Sequence, residues 1–163
     1  MAQENFNQSD SVKNAMRSIN TIDFTMIKLK LMDKEEGQGW DSEFCDYVEI
    51  RYKRFLCMLF LHPEIQSVPT SEIDLFWHQH ILDTHSYSSD CQRVFGKFIH
   101  HFPYFGMRGK EDAQNLIDSF EATKLLYAKL FGENYMTKFH NESSSKCHNC
   151  SSTIGVCMKC TNR

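Results

Sequence analysis

The sequence predicts an all-α protein: one small helical domain of about five helices, followed by a short cysteine-rich tail. Apolar residues recur at three- and four-residue spacing over most of the chain, and no segment alternates apolar with polar as a half-buried strand would. Pro63, Pro103 and Gly132 fall where that periodicity lapses, as helix-ending residues should.

The opening residues, 1–17, are rich in Asn, Gln and Ser and read as a flexible N-terminal arm. The helical domain then spans 18–133. Ile22, Met26, Leu29 and Met32 place a first helix over Ile19 to Asp33, and EEGQG turns the chain. Phe44, Val48, Phe55 and Leu59 mark one side of a second helix, from Asp41 to about Leu61. After SVP, Ser71 and Asp74 have the spacing of a capping box, which starts a third helix near Glu72. A fourth runs from about Ser86 to His101, with Tyr87, Cys91, Val94, Phe95, Phe98 and Phe102 as its core side. GMRGKED is a loop. Ala113, Leu116, Phe120, Tyr127 and Leu130 carry the fifth helix to Gly132. Residues 134–146, rich in Lys, Asn and Ser, read as a linker, and 147–163 hold the tail.

Composition narrows the function. The 163 residues carry 18 Lys and Arg against 21 Asp and Glu, a net charge of −3 with no basic block. That argues against a nucleic-acid footprint and against a polybasic membrane anchor, while a protein partner stays open and unidentified. No apolar run approaches the roughly twenty residues that cross a bilayer, and the first residues have no signal-peptide core. The expectation is a soluble, cytoplasmic protein whose seven cysteines are reduced thiols or metal ligands rather than disulfides. Glycine-rich phosphate loops and the GxSxG nucleophile context are absent.

The stretch DLFWHQHILD, Asp74 to Asp83, sets two histidines two positions apart. A helix turns about 100° per residue, so His78 and His80 point nearly opposite ways and cannot share an ion on an unbroken helix. His80 falls within the apolar arc of Ile73, Phe76, Trp77 and Ile81, whereas Asp74 and His78, four apart, share another side. If the third and fourth helices are antiparallel, His80 meets Cys91 and a buried cluster of His80, Cys91 and His101 becomes available, whereas His78 meets His101 only with a different rotation. Asp74, His78, His80, Cys91 and His101 are therefore the candidates for a second metal or functional site. The competing reading makes each imidazole a hydrogen-bonded structural group and Cys91 a small buried residue. Pro103, Tyr104 and Phe105 offer either a packed corner or the lining of a ligand groove.

CHNC at Cys147 to Cys150 and CMKC at Cys157 to Cys160 form two CxxC pairs separated by six residues. Four thiolates in paired turns suit a tetrahedral Zn(II), and Cys147, Cys150, Cys157 and Cys160 are the ligands expected. An iron–sulfur cluster and a redox dithiol are the other uses of such a pattern. His148 stands beside the first pair as an exposed neighbour.

WHQHILD at Trp77 to Asp83, Tyr87, Asp90 with Cys91, and FGKFIHHFPYFG at Phe95 to Gly106 carry a family resemblance. Together with YKRFL upstream and FEATKLLYAKLFGE downstream, they resemble the non-glycine-rich part of the glycine-rich domain-containing protein-like family, over about Ile19 to Glu133. The resemblance implies a helical body with a Gly- and Cys-rich tail, and no established reaction. This chain keeps the cysteines and lacks the glycine tract. The reading that follows is a metal-binding protein, a binding or regulatory module with a four-cysteine zinc tail. Its rival is a metal-dependent enzyme with a His/Cys site on the helical domain.

Overall fold

The computed structural model describes residues 2–139; the four tail cysteines lie outside them. Six helices and one π turn follow in order: α1 (Ala2–Ile19), α2 (Thr25–Met32), α3 (Ser42–Leu61), α4 (Ser71–Leu82), α5 (Thr84–Asp90), the π turn Cys91–Phe95, and α6 (Lys110–Phe131). No strand occurs among the described residues, so the fold class is all-α.

The segment expected as a flexible arm is helical, and the reason is a stripe hidden among its polar residues. Val12, Ala15, Met16 and Ile19 recur at helical spacing, and this side of α1 packs on α3. Ala15 and Ile19 are buried. The first helix foreseen over Ile19 to Asp33 is instead divided. Asp23 Oδ1 accepts from the Thr25 backbone N–H at 2.9 Å and from the Thr25 hydroxyl at 2.6 Å, so a fresh helix begins at Thr25. Its buried residues are Ile27 and Leu31, whereas Met26 and Leu29 stay exposed.

α3 is the central helix. Asp41 caps it by accepting from the Phe44 N–H at 2.7 Å, and Cys45, Val48, Tyr52, Phe55, Leu56 and Met58 are buried along it. Each such large apolar side chain contributes about 1.5–3 kcal/mol on burial. α1, α2, α4 and α6 all pack against α3.

The foreseen helix from Ser86 to His101 is also cut short. After α5 the backbone widens into the π turn, and Gly96, at φ 66°, ends it in the left-handed region. Residues beyond Gly96 leave the helical path, so Phe98 and Phe102 are half exposed while Ile99 is buried. α6 ends at Gly132 as expected, again with φ positive at 70°.

The stretch assigned to the linker begins as part of the core. Tyr135 is buried, and Phe139 packs on Phe44 and Tyr47. Arg51, itself buried, donates to the Tyr135 carbonyl and lies over the rings of Tyr47, Tyr127 and Tyr135 at 5.2, 5.6 and 5.5 Å. The domain therefore reaches at least Phe139.

Candidate functional site

α4 presents Asp74 and His78 one turn apart on the side away from the core. The capping role foreseen for Asp74 is not observed: the start of α4 has no side-chain cap. The carboxylate faces histidines instead. Its Oδ1 accepts from His101 Nε2–H at 2.9 Å, and its Oδ2 lies 3.6 Å from His78 Nε2. The two imidazole rings are 4.7 Å apart. Asp74, His78 and His101 each offer one ligand atom, and these three atoms lie within 4.8 Å of one another.

His101 reaches this position because the helix ends early. Past Gly96 the chain folds back beside α4, where Tyr87 fixes it: the Tyr87 hydroxyl donates to the Ile99 carbonyl and accepts from Trp77 Nε1–H at 3.0 Å. The Trp77 ring then meets the His101 ring edge-on at 4.5 Å. Burial pushes the Tyr87 hydroxyl's pKa well up, so it stays protonated and keeps that donor.

The proposed cluster of His80, Cys91 and His101 does not assemble. His80 is 2% exposed and both its ring nitrogens are engaged inside the core. Tyr52 O–H bonds to Nδ1 at 2.9 Å, and Nε2 faces the Asp90 carboxylate at 3.3 Å. Phe24 and Tyr87 pack edge-on against the ring. Burial holds the His80 pKa below its ordinary value, with Asp90 opposing, so the neutral ring is a structural group here. Cys91 is buried beside Tyr87, and burial raises its thiol pKa. Cys45 and Cys57 are likewise buried, the latter pushed up to about 12 by desolvation alone. Burial thus favours the neutral thiol in all three, which disfavours nucleophilic attack.

The Asp74, His78 and His101 atoms open onto a groove of about 660 Å³. Its walls are the connection from α3 to α4, the segment His100 to Phe105, and Leu116 of α6. Val68 is fixed at both ends of its peptide unit, its N–H donating to Thr123 Oγ1 at 2.9 Å and its carbonyl accepting from Tyr135 O–H at 3.1 Å. Asp112 of α6 holds the turn that follows Phe105, accepting from the Gly106 and Arg108 backbone N–H groups at 2.7 and 3.1 Å. Pro103 and Phe105 line the groove, as one reading of the sequence allowed, while Tyr104 is exposed. Sequence reasoning overlooked Thr123, Asp112 and the connection 63–69. The clustering of Pro63, Val68 and Pro69 around Asp74 was the signal available for the last of these.

Three carboxylate and imidazole donors at the edge of a groove are an arrangement that can hold a divalent ion with positions left open. Bonds of about 2.1 Å at right angles put neighbouring ligand atoms roughly 3 Å apart. The His101 and His78 nitrogens lie 2.9 and 3.6 Å from different oxygens of Asp74, and the three ligand atoms spread over as much as 4.8 Å, so a bound ion would draw them together.

Two curated relatives share part of the chain. Glycine-rich domain-containing proteins 1 and 2 of Arabidopsis thaliana are each 34% identical over 89 residues. Each alignment covers 52% of this chain and 11% of the plant protein, so the chain spans a small fraction of those relatives' length. No solved structure matches significantly. No described helix is long and apolar enough to cross a membrane. The family model described as UCP032817-like matches residues 14–123, which include all of α2 to α5 and every residue of the Asp74, His78 and His101 cluster. The chain belongs to the UCP032817-like family.

Proposed function

We propose that this chain is a metal-binding protein whose helical body holds a first-row divalent ion on Asp74, His78 and His101. The convergence of those three donors within 4.8 Å, at the edge of a groove, carries the reading. Ligation uses the Nε2 lone pair of His101, so the ring proton now given to Asp74 sits on Nδ1 when the ion is bound. A second ion, Zn(II), sits on Cys147, Cys150, Cys157 and Cys160, supported by the paired CxxC spacing. With one such ion in the body and one in the tail, the protein serves as a binding or regulatory module. The coordination positions facing the groove favour one further reading, a metal-dependent enzyme in which the ion polarises a bound oxygen.

Elemental analysis of the untagged full chain tests both sites. Two equivalents of metal are expected in the natural sequence. The D74A/H101A variant should keep only the tail ion, and the C147S/C150S/C157S/C160S variant only the body ion. A D74A/H101A protein that retains as much metal as the natural chain sinks the body site.

A further inference from the structure

The groove beside Asp74, His78 and His101 has a composition that selects among ligands for an ion held there. Its walls are mixed: Leu59, Ile65, Val68, Phe102, Phe105 and Leu116 supply apolar surface, interspersed with Gln66, Ser67, Ser71 and His100. No Lys or Arg lines it; its carboxylates are Glu64 and Asp74, and its imidazoles are His78, His100 and His101. The Arg108 guanidinium lies over the Phe102 ring at 4.9 Å, but its charge is paired with Asp112 at 2.7 Å. A phosphate or a nucleotide would therefore find no Lys or Arg in the lining, and would meet the Glu64 carboxylate.

Resting on the metal reading above, we propose that the groove binds an apolar-bodied small molecule that chelates the ion through two oxygens as a monoanion. Charge decides the headgroup. A divalent ion with the one Asp74 carboxylate and two neutral imidazoles carries a single net positive charge. A monoanionic oxygen chelate cancels it, leaving a neutral complex beside the apolar part of the wall, whereas a multiply charged anion leaves excess charge unpaired there. Donor count decides denticity, because three protein ligands leave further positions of an octahedral ion free. Wall chemistry decides the body: a ring or branched chain on the chelate displaces water from Phe102, Phe105 and Leu116. The groove volume of about 660 Å³ lies within the range of small-molecule sites.

The test uses full-length C147S/C150S/C157S/C160S protein, so that cobalt reports on the body alone. Co(II) is titrated first, followed by its visible absorption. Benzohydroxamic acid, acetohydroxamic acid and inorganic phosphate are then titrated into the Co(II) protein, with affinities referred to those for free Co(II). Benzohydroxamate is expected to bind about tenfold or more tighter than acetohydroxamate, reflecting burial of the phenyl ring, and phosphate to leave the spectrum unchanged. In L116A the preference for the phenyl group should shrink severalfold while Co(II) affinity holds. Co(II) that fails to bind overturns the metal reading and this one with it. Co(II) that binds but takes phosphate more tightly, or treats the two hydroxamates alike, overturns the ligand class alone.

Discussion

His80 shows how one buried imidazole can look like a ligand and act as a joint. It links Tyr52 of α3 to Asp90 at the end of α5, and Asp90 in turn pairs with Arg93 of the π turn. Replacing it by Gln removes an aromatic contact with Phe24 and leaves at least one of these partners unsatisfied, at a cost of about 1–3 kcal/mol. The His80 pKa lies below its ordinary 6.5 in the folded protein, because burial disfavours the cation. Between the two values the unfolded chain takes up a proton that the folded one refuses. The stability due to neutral His80 is thus complete above 6.5 and declines as pH drops below it. Urea midpoints measured from about pH 7 to about pH 5 should fall with acidification, and fall less in H80Q. An unchanged slope in that variant would assign the acid sensitivity to another group.

At the scale of elements, the end of the α5 helix decides whether a site exists. A helix continued to His101 would carry that residue away from α4; the π turn and Gly96 turn the chain back instead. Tyr87 then holds the returning segment through Ile99 and Trp77. Tyr87→Phe keeps the packing and deletes both hydrogen bonds, so it should cost about 1–3 kcal/mol. It should also weaken metal binding by about tenfold, as loss of an orienting group commonly does. Competition against a chromophoric chelator measures the second effect. Equal affinity in Y87F would mean that Trp77 alone orients His101.

For the whole molecule, the segment after α6 closes the fold. Arg54 bonds to Glu133 at 2.6 Å and to the Tyr127 hydroxyl at 3.0 Å, while Arg51 is capped by the Tyr135 carbonyl. A chain ending at Gly132 strips the Arg51 guanidinium of its acceptor and one aromatic wall, and should lose about 3–5 kcal/mol, the usual cost of an uncompensated buried charge. A chain ending at Phe139 should unfold at nearly the urea midpoint of the full protein. Similar midpoints for both shortened chains would show that Tyr135 contributes little.

The all-α class, the span of α3, the start of α4 near Ser71 and the end of α6 at Gly132 were all legible in the sequence. Periodicity, proline and glycine are local signals, and those elements obey them. Local reasoning also separated His78 from His80, because helical geometry alone points them apart. It read α1 as an arm, since four apolar residues at 12, 15, 16 and 19 are sparse until α3 supplies the surface that they cover. It overran α2 and α5 because Asp23 and Gly96 break the helix, through a side-chain turn bond to Thr25 and a left-handed residue, inside otherwise continuous apolar patterns. What only the tertiary structure decided is which histidine joins Asp74. His101 and Asp74 are 27 residues apart, and their meeting depends on a backbone reversal and a tyrosine hydroxyl, neither of which leaves a periodic mark in the sequence.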